Sequence, residues 1–399
     1  MCRVKAKEDQ GTIALIVAIL VSSSLIIGLF VIVADTGALF SERRVIQNAS
    51  DSADLALARE CAVLGNGSTY GEFSGYSSNV CESQFYALDF AQKYANSNSE
   101  DGLTEVTSIC GQSPLNICLN SENFIYDCKN VDPKYIHYVR VRTATKTPTG
   151  NKLNNLFSSV INSNDTGTSV PGCSQSAWGK ASFAPIFFPL ALPICNYQLN
   201  GTLVLQDFSS NNPIVVGGCN IVDLDGNTFS YTSPTEGFSL LSNMGCPGIS
   251  SIQKISVGDF FNIESSLSQV EQQCPSGANQ FYSQASTFLN TVFFVPVVTN
   301  VVCQNTSTNC QGSYRFQVAS FFAFKFLGLK FKNSGLLGAV PPCPPGDTCT
   351  KSTDFWPSYC TSTRNCVYGT FSRAAVPGAD VSTDPNFPAV GAQAIQLLP

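Results

Sequence analysis

From Thr12 to Ala34 the chain carries no charge and is almost wholly apolar. At 1.5 Å per residue such a helix spans roughly 34 Å, enough to cross a hydrocarbon core of about 30 Å. Its polar members are Thr12 and the run Ser22, Ser23, Ser24. Small hydroxyls return a hydrogen bond to their own helix, so simple helical tolerance explains them more readily than a packing face does. Beyond Ala34 no proline interrupts the chain, and Leu39, Ile46, Ala49, Ala53, Ala56 and Leu57 recur mostly at three-, four- and seven-residue steps. That spacing predicts a helix with a narrow apolar stripe. Glu42, Arg43 and Arg44 form a charged collar, and Gly65-Asn66-Gly67 supplies a stop. Membrane segment and stalk together make one helix of about 50 residues. The stripe is built of small residues, which let backbones approach closely. It suits packing in a filament or against a partner, and equally a helix folded onto its own outer domain.

The pattern then changes. Ala87, Leu88, Ala91, Tyr94 and Ala95 share one face of a short helix, and Leu153, Leu156, Phe157, Val160 and Ile161 share one face of another. Tyr135–Thr145 alternates with period two: His137, Val139, Val141 and Thr143 on one side, Tyr138, Arg140 and Arg142 on the other. After Pro185 the runs 201–206, 213–216, 291–303, 314–331 and 389–398 have strand character, punctuated by Pro and Gly clusters such as 340–346. The expected class is α+β: a single N-terminal transmembrane helix continues into a long stalk helix, followed by a β-rich, disulfide-bonded extracytoplasmic region. The divisions are 1–11, a cytoplasmic N-terminus; 12–34, the transmembrane helix; 35–65, the stalk helix; 66–185, an α+β unit; and 186–399, a β-rich unit.

Composition sharpens this. Charged residues are 13% of the chain and the net charge is −6, with Lys and Arg scattered, so the basic footprint of a nucleic-acid binder is missing. Of 17 cysteines, Cys2 precedes the apolar segment. The remaining ones are Cys61, Cys81, Cys110, Cys118, Cys128, Cys173, Cys195, Cys219, Cys246, Cys274, Cys303, Cys310, Cys343, Cys349, Cys360 and Cys366. An even set beyond a membrane segment points to disulfides in an oxidising compartment, with the pairing open. A metal site is the rival, but no Cys-x-x-Cys occurs and the one histidine is His137. The cysteines also set the expected orientation, N-terminus cytoplasmic and the bulk outside, because basic residues flank the segment on both sides (Arg3, Lys5 and Lys7 before it, Arg43 and Arg44 after it). A cleaved signal ending at Thr36-Gly37-Ala38 competes with this, but the apolar run is too long for a typical signal core.

The stretch GTIALIVAILVSSSLIIGLFVIVADTGALFSERRVIQNASDSADLALA, residues 11–58, resembles the N-terminal signature of the TadE/TadG-like proteins of Flp (tight-adherence) pilus systems, of the actinobacterial type. Matching positions are Gly11, Asp35, Gly37, Arg43, Arg44, Gln47, Asn48, Ala49 and Asp51, then Ala53, Leu55, Ala56 and Ala58. Ile46 replaces a Leu, and Ser50, Ser52, Asp54 and Leu57 replace alanines. Segments 87–102, 139–157, 176–195, 294–303, 314–331 and 366–377 are similar to the later helix and strands of that family at lower specificity. The resemblance implies a non-enzymatic membrane component of pilus assembly or a related secretion machine: a minor pseudopilin, an assembly factor or an envelope anchor. Its partners would be the membrane and other pilus-assembly or pseudopilin proteins, and the assembly determinants would be Gly11, Asp35, Arg43, Arg44, Gln47, Asn48 and Asp51. The Asp-x-Ser-x-Ser motif of the family's metal-binding adhesion domains is missing. So is the Glu five residues after the glycine that prepilin peptidases want, since that position is Ile16.

The residues suggest no catalytic set, cofactor, metal or small-molecule substrate. His137 sits mid-strand among apolar neighbours with no marked triad partner. Asp223–Asn227 lacks the spacing and distal Glu of a calcium loop and fits a tight turn between strands. Arg140 and Arg142 are expected on a solvated face. Five glycosylation acceptors, at Asn48, Asn66, Asn164, Asn200 and Asn305, bear on the alternative of a cysteine-rich type II surface glycoprotein or binding protein. An extracytoplasmic hydrolase is a third class, weakened by the missing catalytic constellation.

Overall fold

The computed structural model describes residues 8–64, 80–81, 83–111, 115–118, 128–148, 150–153, 167–196, 202–206, 216–222, 227–234, 239–241, 253–264, 274, 277–303, 314–330, 336–338, 366–372, 374–376, 378–382, 384, 386 and 391–398. Helix α1, Glu8–Leu64, is one unbroken element of 57 residues, about 85 Å long at the usual rise. Its apolar half is bare: Leu15, Leu20, Leu25, Ile26 and Phe30 are each more than half exposed, and it is long and apolar enough to cross a membrane. Ser22, Ser23 and Ser24 donate to the carbonyls of Ile19, Leu20 and Val21 at 3.1, 3.0 and 2.9 Å. They thus satisfy themselves on their own helix, as expected of hydroxyls in an apolar segment.

The second half of α1 is buried along one stripe: Ile46, Ala49, Ser50, Ala53, Asp54, Leu57, Ala58, Cys61 and Ala62. These are steps of three and four, the geometry of a helix laid on a flat support. The support is formed by α2 (Gln84–Ser97) and a five-stranded sheet. That sheet contains β1 (Thr104–Gly111), β2 (His137–Thr145) and β3 (Pro171–Lys180), together with two strands from the end of the chain. On α2 the buried residues are Ala87, Phe90, Ala91 and Ala95. Leu88, placed on the inner face by the sequence pattern, is 38% exposed, and Phe90 takes the inner position. Amides of α2 close the free edge of β1. Gln84 Nε2 donates to Ile109 O at 2.8 Å, Gln92 Nε2 donates to Thr104 O at 2.5 Å, and Gln92 Oε1 and Asn96 Oδ1 accept from Val106 N and Thr104 N. An exposed strand edge is thereby occupied from within the chain.

The chain continues through β4 (Phe183–Ile186), β5 (Leu190–Pro193), β6 (Thr202–Gln206), β7 (Val216–Val222), β8 (Thr228–Pro234), β9 (Ser239–Leu241), β10 (Gln253–Ser256) and β11 (Phe260–Glu264). Helix α3 (Gly277–Ser286) precedes β12 (Val292–Cys303), β13 (Tyr314–Lys330), β14 (Leu336–Gly338), β15 (Cys366–Ser372), β16 (Ala375–Val376) and β17 (Gln393–Leu397). A second sheet runs β11-β9-β5-β12-β13-β15-β6, with β14 on β13. Its core is aromatic: Phe188 meets Phe281, Phe293 and Phe326 with ring centroids 6.2, 5.4 and 5.5 Å apart. β16 and β17 return to the first sheet, β17 pairing antiparallel with β3. The architecture is α+β, a long apolar N-terminal helix followed by a β-rich region. The sequence-predicted helix from Leu153 lies outside the described residues apart from Leu153 itself, which bridges Thr168. The run 213–216 is described only at Val216, where β7 begins.

Among the described residues four disulfides have both cysteines placed: Cys61–Cys81, Cys110–Cys118, Cys128–Cys173 and Cys195–Cys219. Cys274 and Cys366 are disulfide-bonded as well. Cys2, Cys246, Cys310, Cys343, Cys349 and Cys360 lie outside the described residues, and Cys303 ends β12.

Candidate functional site

The sequence signature falls where α1 meets β2 and β3. Antiparallel pairing puts Thr143 opposite Gly172 and Val141 opposite Ser174, and the helix crosses this pair. Ser50 Oγ donates to Val141 O at 3.0 Å, and Thr143 Oγ1 donates to Ile46 O at 3.3 Å. Gln47 Nε2 donates both to Asp51 Oδ1, at 2.8 Å, and to Cys173 O, at 2.9 Å. Gln47 therefore ties one turn of helix to a strand carbonyl while Asp51 fixes its rotamer. Gly172 makes the approach possible. A Cβ there would stand 2.7 Å from Thr143 Oγ1, 2.8 Å from Ile46 Cγ2 and 3.0 Å from Ile46 O.

One turn further along, Asp54 is fully buried. Ser174 Oγ donates to its Oδ2 at 3.4 Å and Ser176 Oγ donates to the same atom, while Oδ1 is a buried acceptor without a partner. Burial pushes its carboxyl well above the usual carboxylate range, against the lowering effect of the two serines, and Asp51 nearby adds to the rise. Asp54 is thus an acid matched by two serines that alternate on β3.

Asp54 gives a signed prediction. A carboxyl whose folded pKa is raised favours the fold fully at pH below its unfolded pKa, and that support is lost as pH rises through the folded pKa. Asp54→Asn keeps the shape and removes the titration. The variant should match the wild type near pH 4 and be more stable by about 1 kcal/mol at pH 8, a gain of about 2–4 °C in Tm. Melting curves of the full chain in detergent at the two pH values check this; a variant less stable than wild type at pH 8 would show that the charged carboxylate supports the seat.

The remaining signature residues are elsewhere. Gly11 lies in the early turns of α1, and Asp35 is half-buried between the bare and seated halves. Arg43, Arg44 and Asn48 are exposed. Glu42 is half-buried; burial raises its carboxyl, a hydrogen bond with Thr145 lowers it, and Asp101 raises it further. The structure therefore brings together Gln47 and Asp51 and adds Thr143 and Gly172, together with Ser50 and Asp54, which the sequence showed only as departures from the resembled signature. The available signal was the four-residue ladder 46, 50, 54, 58 on α1 facing the alternating Ser174 and Ser176.

On the opposite face of the sheet the expectation for Arg140 is overturned. It is 2% exposed rather than solvated. The Cys128–Cys173 bridge draws the strip from residue 128 across this face, and the guanidinium donates to Lys129 O at 2.8 Å and to Gln175 Oε1 at 3.2 and 3.1 Å. Arg142 is half-buried. His137 stacks on Trp178 of the paired strand, with centroids 5.8 Å apart and planes at 19°. Among the described residues no group of three or more His, Cys, Asp or Glu side chains is placed to hold a metal. Of the glycosylation acceptors Asn48 alone lies among the described residues, exposed in the middle of α1.

No protein-family model, curated protein or solved structure matches the chain.

Proposed function

We propose that this chain is a membrane-anchored, non-enzymatic component of a Flp-type pilus-assembly or related secretion machine. It holds its domain outside the cell membrane on a single helix, with the N-terminus in the cytoplasm. The observation that carries this reading is the division of α1. Among the described residues its first half meets no partner surface, and it suits lipid or neighbouring apolar helices. Its second half carries Arg43, Arg44, Gln47, Asn48 and Asp51 and is split between an inner face on β2 and β3 and an outer face bearing Arg44 and Asn48. Six bridged or bonded cysteine positions in the first sheet region, from Cys61 to Cys173, favour an oxidising compartment.

The two faces predict different outcomes. Arg44→Ala with Asn48→Ala removes outward groups four residues apart on one helix face. The protein should insert, oxidise and melt normally, yet co-purify with the assembly machinery about tenfold less, the loss typical of an interface hot spot. Gln47→Leu with Asp51→Leu cuts the bond to Cys173 O and should lower the melting temperature first. Normal co-purification and surface pilus counts in the Arg44/Asn48 variant would remove the assembly reading of the outer face.

A further inference from the structure

A groove of about 230 Å³ lies between α1 and the end of the connection from β2 to β3. Leu39, Phe40, Val170 and Pro171 give it apolar walls, and Arg43 stands at its rim. Its level along α1 is informative. Leu39 to Arg43 follow Ala34, the last residue of the uncharged run, by about 8–14 Å at the usual rise. The headgroup layer occupies roughly the first 5–8 Å outside the hydrocarbon core. The groove therefore opens on the headgroup layer from just above it. Topology puts the other wall at the same level. β2 runs toward the bare half of α1 and β3 runs away from it, since Val141 meets Ser50 and Thr143 meets Ile46. The described parts of their connection, residues 146–148, 150–153 and 167–170, thus lie at the base of the domain. Phe40 is 62% exposed, an aromatic at a membrane interface, and Arg43 carries a stem long enough to bring its guanidinium down to a phosphate.

We propose that this groove binds one anionic phospholipid of the outer leaflet, its phosphate on Arg43 and its glycerol and upper acyl carbons against Leu39, Phe40, Val170 and Pro171. The lipid seats the base of the domain on the bilayer; this inference rests on the membrane-anchored reading above. The apolar walls select a lipid over free phosphate, which has nothing to place against them. The base is not broadly basic: Arg44, Lys146 and Lys152 are exposed there, but Glu42, Asp101 and Glu105 accompany them. Glu42 is engaged with Thr145 and Glu105 with Asn151. Within the groove the cationic group is Arg43, with Asp35 two turns below it on the same helix face.

The full chain is reconstituted in nanodiscs of phosphatidylcholine and phosphatidylglycerol, extracted in mild detergent, and its retained lipid measured by mass spectrometry. Phosphatidylglycerol should be enriched over its share in the disc. Arg43→Gln should cut that enrichment about fivefold, Phe40→Ser should lower retention of both lipids, and Lys152→Gln, the same charge change outside the groove, should leave it unaltered. A photo-crosslinker at position 40 should capture lipid. No enrichment, an equal loss in Lys152→Gln and Arg43→Gln, or capture of a protein chain at position 40 would overturn the proposal. Release of the intact chain from membranes by carbonate would instead overturn the anchor reading, so the two failures are distinct.

Discussion

Replacing Cys128 and Cys173 together by serine is expected to destabilise the disulfide-bonded domain by about 4 kcal/mol. The bridge closes a sequence separation of 45, and the chain-entropy treatment gives a cost of that size for freeing such a loop in the unfolded state. The native structure adds a local consequence. The bridged strip supplies Lys129 O to the buried guanidinium of Arg140. With the bridge gone, that strip can lift and the Arg140 guanidinium, which donates to Lys129 O and Gln175 Oε1, regains water. Denaturation of the full chain in detergent under oxidising conditions measures the loss, and a guanidinium-selective reagent should modify Arg140 in the variant and not in the wild type. A loss under about 1 kcal/mol would mean that the bridge constrains little that the sheet does not already hold.

Gly172→Leu should cost about 3 kcal/mol and unseat α1. No side chain fits where Ile46 and Thr143 stand within 3.0 Å of the added carbon, and helix and sheet are both fixed by further bonds, so overpacking falls at the upper end of its usual range. Hydrogen exchange across residues 46–62 should quicken along with the drop in melting temperature. Gly218→Leu is the matched control. It too lies in a strand, but its added carbon meets nothing nearer than Tyr231 O at 3.9 Å, so the change should stay within about 0.5 kcal/mol. Equal effects in the two variants would show that glycine's loss, and not the close helix–strand approach, is what matters.

The parts of this fold that were legible in the sequence are those with local periodicity. The uncharged run and its continuation gave α1, described to Leu64; the predicted Gly65-Asn66-Gly67 stop lies outside the described residues. The alternation from Tyr135 gave β2, with Val139, Val141 and Thr143 facing the helix, and the apolar runs gave β12 and β13 nearly to the residue. What was not legible depends on distant partners. Ser50 and Asp54 look like breaks in an apolar stripe until Val141, Ser174 and Ser176 are brought against them. Arg140 looks solvated because the strip that buries it is attached by a disulfide whose pairing no local pattern encodes. Leu88 was assigned inward by spacing alone, but Phe90, the larger ring, occupies the space under α1. The return of β17 to β3 joins segments separated by most of the chain, a pairing set by the tertiary fold and invisible to periodicity.

Thiol accessibility in sealed cells tests whether a single membrane-spanning helix holds an oxidised domain outside. A maleimide that cannot cross the membrane should label none of Cys61, Cys81, Cys110, Cys118, Cys128, Cys173, Cys195 and Cys219, which are paired in the structure. Adding a reductant that likewise stays outside should make them reactive, while Cys2 stays protected until the membrane is opened. Labelling of these cysteines without reductant, or of Cys2 in sealed cells, would contradict the account.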